Sequence, residues 1–292
     1  MARARKIPVS ALNIAMHAPH SVDGYVSLMR GLYSMKRVVN IRSLAGLLIG
    51  SMYPIANNDY TNGIAGEIYQ FANLDSSEPW FDVNTLKEAT DEEVSEIYIP
   101  ENLKPHLARF TYVFYPRGHR LYVQTRNKSR SVSVVSIRKF LIALLNDASA
   151  PRTPKVEITI EPERDTISKI LQIKNLRKLQ ITLVRPNPDD FAEAEKRLLN
   201  WLARQGADKM EVALHADNND KLKLDEDTVV LARVAASNGV VVGHGRDAAN
   251  SPVKKSTADQ PWTEVAKFNE NAQTEQIAVI YLAQSMHAKF SK

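Results

Sequence analysis

At 292 residues with 44% hydrophobic and 24% charged side chains, the chain has the composition of a folded globular protein. It contains no cysteine, which excludes disulfide scaffolds, thiolate metal centres and thiol nucleophiles. Its 38 Lys and Arg against 33 Asp and Glu leave a net charge of +5, a mild bias towards anionic partners.

Alternating apolar residues predict a strand over Lys6 to His17, broken by Ala18-Pro19-His20. A helix follows from Ser21 to Met35, with Ser21 as N-cap and Tyr25, Leu28, Met29 and Leu32 at three- and four-residue spacing. Strands are expected at 37–42, 45–53 and 64–72, and a short one at Glu93 to Ile99, ended by Pro100. Arg109 to Tyr115 and Arg120 to Arg126 read as a hairpin joined by Pro116-Arg117-Gly118-His119. Its first strand puts Phe110, Tyr112 and Phe114 on one face and Thr111, Val113 and Tyr115 on the other, because strand side chains repeat every two residues. After a polar loop, Asn127 to Arg130, a helix from Val134 to Asn146 carries Ile137, Phe140, Leu141 and Leu144 as its core stripe.

Ala148 to Pro154 is the expected boundary between two lobes, 1–150 and 151–292. In the second lobe strands at Lys155 to Ile160, Leu176 to Val184 and Lys209 to His215 alternate with helices at Thr166 to Ile173 and Pro188 to Arg204. The latter has Asn187 to cap it, Pro188 at its first position, Asp189 and Asp190 at its positive end, and Phe191, Leu198 and Leu202 on its buried face. A helix at Asp225 to Ser237, strands at Val240 to Gly243 and Trp262 to Phe268, and a helix at Thr274 to Lys289 complete the chain. The fold class is α+β, with mixed sheets covered by helices.

Charge is segregated along the chain. From 44 to 103 there are eleven acids and one base, Lys87; from 104 to 150 there are nine bases and one acid, Asp147; residues 151–292 are nearly neutral. Phosphate backbones are held by several cations acting together, each releasing counterions. Arg117, His119, Arg120, Arg126, Lys128, Arg130, Arg138 and Lys139 therefore form the candidate nucleic-acid-binding set, with Tyr115 and Tyr122 available for stacking. The alternative is that this basic segment pairs with the acidic stretch upstream, within the chain or across a dimer.

Other chemistry is sparsely signalled. A phosphate loop, a six-residue dinucleotide glycine fingerprint and a Gly-x-Ser-x-Gly elbow are all missing, and no acid is followed two places later by lysine as in many metal nucleases. His17 with His20, and His215, Asp217 and His244, are the other titratable candidates, read as turn and strand-end residues rather than ligands. No metal and no cofactor are expected. No apolar run approaches the ~20 residues that span a bilayer, and the basic start meets Pro8 and Asn13 instead of a long apolar core, so a cytoplasmic protein without a membrane partner is predicted.

Gly66-Glu67-Ile68-Tyr69-Gln70-Phe71, Glu78-Pro79-Trp80-Phe81, Ile99-Pro100-Glu101-Asn102-Leu103-Lys104-Pro105, Phe114-Tyr115-Pro116 with His119-Arg120-Leu121, and Arg185-Pro186-Asn187-Pro188-Asp189-Asp190 together resemble a bacterial family known only as domain of unknown function four-seven-four-seven. The strand and helix order of the second half is similar to that of the phage lambda Rex A exclusion proteins. That second resemblance implies a dimeric, DNA-binding protein linked to prophage or anti-phage defence, and transfers no residue role. The expectation is a non-catalytic DNA-binding protein, with a protein-interaction component of a defence assembly, or a nuclease or hydrolase of non-standard site, as alternatives.

Overall fold

A computed structural model describes residues 5–290 except 18, 19, 43, 75–77, 153, 185–192, 218, 219 and 270. In chain order the first part is β1 (Arg5–Met16), α1 (Val22–Ser34), β2 (Val39–Arg42), β3 (Ala45–Pro54), β4 (Ile64–Ala72), β5 (Phe81–Asp82), β6 (Lys87–Glu88) and α2 (Asp91–Ser95). Then come β7 (Ala108–Tyr115), β8 (Arg120–Gln124), β9 (Arg126–Asn127), β10 (Arg130–Ser131), α3 (Val134–Leu145), β11 (Val156–Ile160) and α4 (Thr166–Leu171). The remainder is β12 (Asn175–Val184), α5 (Glu193–Arg204), β13 (Lys209–His215), α6 (Glu226–Ser237), β14 (Gly239–Arg246), β15 (Pro252–Ser256), β16 (Thr263–Phe268) and α7 (Glu275–Ala288).

The main sheet has eight strands in the order β11-β1-β8-β7-β4-β3-β2, with β16 also on β1. β1 is long enough to take two partners along one edge: Arg5 to Ser10 pair with β16, and Leu12 to Met16 with β11. Sheet membership therefore does not follow the 1–150 and 151–292 division, because β11 and β16 both join the first sheet. The central strands are buried on both faces. Phe110, Tyr112 and Phe114 pack with α1 and α3 in one apolar cluster, while Val113, Tyr115 and Tyr122 pack with α7 in another. The alternation within β7 thus serves two cores.

The second sheet, β13-β12-β14-β15, is antiparallel and buries Leu176, Leu179, Ile181 and Leu183 beneath α4, α5 and α6. The main sheet meets the end of α6, where Asn13 Nδ2 donates to the Ser237 carbonyl and the Thr159 hydroxyl donates to the same oxygen at 2.8 Å. The class is α+β as expected. All the strand pairs between named strands are antiparallel.

Helix starts follow local chemistry. Ser21, Ser133, Asp225 and Thr274 each accept a backbone N–H from the first turn of α1, α3, α6 and α7. One expectation is corrected: the strand at 93–99 is absent, and α2 forms instead because Thr90 and Glu93 close a capping box around three acids in its first turn. β15 was not expected from the sequence. The start of the helix at Pro188, with Asn187, Asp189, Asp190 and Phe191, lies outside the described residues, whereas Leu202 is buried as expected. No helix among the described residues is long and apolar enough to cross a membrane.

Candidate nucleic-acid interface

β7 and β8 form the expected hairpin, in register from Tyr112 with Val123 to Tyr115 with Arg120. Its turn places Gly118 at φ +81° and His119 at φ +57° and tucks beneath α7, so that a Cβ on Gly118 would lie 2.8 Å from the His287 ring. Only Arg117 of this turn is exposed. Asp59 lies close enough to feel it: its carboxyl is held below the usual range first by hydrogen bonds from Thr61 and, more weakly, by Arg117.

Arg120 and His119 point inwards. Arg120 Nε stands 2.7 Å from Glu161 Oε1, and its Nη1 donates to Asn13 Oδ1 and to the Gly118 carbonyl, both at 2.9 Å. The Phe290 ring covers the guanidinium at 4.7 Å. His119 Nε2 is 3.0 Å from His20 Nε2, one imidazole donating and the other accepting, and its ring stacks on Tyr25. Burial first, then the neighbouring His20, Arg120 and His287, push the His119 pKa down to about 3. Both residues are 4% exposed or less, which removes them from any surface that a phosphate could reach. Tyr115 and Tyr122 are also buried, the first stacked on His287, so they are not available for stacking on bases.

The outward cations lie just beyond β8. β9 and β10 make a two-stranded ribbon in which Arg126 pairs with Ser131 and Asn127 with Arg130. Arg126, Lys128 and Arg130 are all exposed, and so is Lys139 on α3. Arg138 is half-buried and donates from Nε to the Ile158 carbonyl at 2.6 Å, fastening α3 to β11. Among the described residues no ion pair engages Arg117, Arg126, Lys128, Arg130, Arg138 or Lys139, and none joins an acid of 59–101 to a base of 104–139.

Two grooves adjoin the ribbon. One, of about 520 Å³, is lined by Arg126, Ser131, Ser133, Ser10 and Thr263; the other, of about 500 Å³, by Arg130, Ser129, His106 and Gln70. The first receives the N-terminus of α3, whose opening turn contains no acid. Helix amide dipoles and Arg126 thus face the same opening, an arrangement that favours an anion, although Asp259 also lines it.

The acidic stretch takes another form. Residues 78–107 stand off the main sheet with no buried residue, exposing Phe81, Val83, Leu86, Tyr98 and Leu103 among their acids. Among the described residues the backbone hydrogen bonds of this arm are internal to it, except that Ala72 N–H donates to the Pro105 carbonyl at its base.

Of the other histidines, His17 lies 3.4 Å from Asp208. His215 and His244, far apart in sequence, are both opposite Lys178 in the second sheet. No group of three His, Asp or Glu able to hold a metal occurs among the described residues. Glu161 was the buried partner that sequence reading missed; it continues the polar register of Glu157 and Thr159, so nothing in the alternation of β11 marks it as buried.

No curated protein matches the chain, so the likeness to the Rex A exclusion proteins has no support from sequence comparison. A family model described as a domain of unknown function, DUF4747, matches residues 5–284. The span takes in every motif that carried the first resemblance, and the chain belongs to the DUF4747 family.

Proposed function

We propose that this protein binds nucleic acid, DNA in the first instance, as a non-catalytic module in the cytoplasm, through Arg126, Lys128 and Arg130 of the ribbon with Lys139 and Arg117 in support. The observation that supports this reading is the exposed ribbon of Arg126, Lys128 and Arg130, in no ion pair among the described residues, with Arg126 beside the N-terminus of α3, whose first turn holds no acid. Arg120 and His119 hold the hairpin from within and touch no ligand. The link to phage defence came from the Rex A likeness alone and forms no part of the proposal.

A mobility shift with duplex DNA and with RNA tests it. Five phosphate contacts at a slope of roughly 0.9 each weaken binding about 500-fold between ~50 and ~200 mM salt. Lys128→Glu with Arg130→Glu should abolish most of the shift. Binding that ignores both salt and charge reversal defeats the reading.

A second reading, a protein-interaction component, has its own observation in the arm at 78–107. Its exposed apolar residues set among acids suit a basic protein partner or a second copy of the chain. Solution mass separates the two readings: replacing Phe81, Leu86 and Tyr98 with Ser lowers the mass of an assembly and leaves DNA binding unchanged.

A further inference from the structure

Among the described residues, helices α4, α5 and α6 cover one face of the second sheet and none covers the other. Residues directly opposite one another in antiparallel strands share a face. In β13, β12, β14 and β15 the register sets His215 opposite Lys178, Lys178 opposite His244, and His244 opposite Lys254. Four basic side chains from four strands therefore form one row across the sheet, on the face away from Leu179, Ile181 and Leu183. The row crosses three strand spacings, roughly 14 Å.

The register gives its neighbours on the sheet, and two rows along it puts Glu211, paired with Lys209, opposite Thr182 on the same face. The next row along, Ala213, Gln180, Val242 and Ser256, is neutral. Arg246, two residues beyond His244, is exposed on the same face, with Nη1 donating to the Asn250 carbonyl. Asp217, two residues beyond His215, is the acid at the row's end. Lys178, Lys254, His215 and His244 enter no ion pair among the described residues. Partial burial first, then Lys254 and Lys178, lower the His244 pKa, as packing beside two cations requires.

We propose that His215, Lys178, His244 and Lys254 form a second binding site, for the phosphodiester backbone of a nucleic-acid strand laid across the open face of the second sheet. The spacing decides the ligand class. One isolated phosphate reaches two or three of these groups, whereas a chain of phosphates meets a row of this length along its course. Lysines supply charge, and each imidazole supplies an N–H donor or, once protonated, a further charge. The inference rests on the nucleic-acid reading above for its ligand, but uses none of the residues of the ribbon.

The experiment is a titration of the full chain with a short single-stranded oligonucleotide, following the imidazole signals of His215 and His244 by NMR beside the binding constant. In the wild type both signals shift together. Lys178→Gln with Lys254→Gln should abolish those shifts and lower the salt slope by about 1.4, two contacts at roughly 0.7 each. Unchanged dispersion of the remaining spectrum shows that this variant is folded. Lys128→Glu with Arg130→Glu weakens overall affinity and leaves the imidazole shifts intact at saturation. If the row variant binds as the wild type does while the ribbon variant fails, this inference falls and the proposed function stands; the reverse pattern overturns the ribbon and keeps the row. Imidazoles that stay still at saturation, or that respond equally to inorganic polyphosphate of the same charge, overturn the nucleic-acid assignment.

Discussion

Arg120 Nε and Glu161 Oε1 lie 2.7 Å apart with side chains 5% and 2% exposed, and they tie the turn end of β8 to the residue that follows β11. Asn13, on the strand between them, accepts a hydrogen bond from the guanidinium Nη1 at 2.9 Å. A buried pair of this kind is held by mutual need: each charge, left alone, would face an unpaid desolvation penalty. Arg120→Met or Glu161→Gln should each lower stability by about 3–5 kcal/mol, measured by urea unfolding. The joint replacement Arg120→Met with Glu161→Leu should recover much of that loss. Single variants within about 1 kcal/mol of wild type would show that the pair contributes little.

His119 makes stability depend on acid. Its folded pKa, about 3, lies below the unfolded value near 6.5, so the unfolded chain binds more protons in between. The contribution is complete above pH ~6.5 and declines as pH falls towards 3. Unfolding free energy should therefore drop across this window by up to a few kcal/mol, and His119→Phe should flatten that part of the profile. An unchanged profile in the variant would assign the acid sensitivity to other groups.

The arm at 78–107 should be the first site of proteolysis. A glutamate-specific protease under native conditions is expected to cut at Glu88, Glu92, Glu93, Glu96 or Glu101, because cleavage needs exposed backbone with few tertiary ties. The two fragments should remain together in solution, since β4 and β7 pair along Ile64 to Gln70 on either side of the cut. Initial cleavage at Glu157 or Glu163 would contradict this assignment.

Gly118 is required by its conformation and its contact. At φ +81°, an added Cβ costs about 1–2 kcal/mol for the left-handed backbone and would press on the His287 ring at 2.8 Å. Gly118→Ala should destabilise the protein by at least that amount, read from thermal or urea unfolding. Replacing His287 with Ala in the same chain should relieve part of the loss.

Periodicity revealed most of the elements because it depends on residues close in sequence. Tyr25, Leu28, Met29 and Leu32 place α1, and the two faces of β7 are legible from Phe110 to Tyr115. The strand expected at Glu93 to Ile99 failed for a local reason, as the Thr90 and Glu93 capping box outweighs the apolar pattern of Val94, Ile97 and Ile99. The candidate site was legible in part. Exposure retains Arg126, Lys128, Arg130 and Lys139, while burial withdraws Arg120 and His119, and charge alone could not distinguish these groups.

The sequence by itself determined the α+β class, the absence of thiol chemistry, the segregation of acidic and basic stretches and the family, since composition and motif need no partner in space. Tertiary structure decided which charges meet. Arg120 finds Glu161, and Lys178 finds His215 and His244, through strand register between segments dozens of residues apart. Register fixes the facing side chain on every neighbouring strand at once, and a shift of one residue would turn each of them to the opposite face.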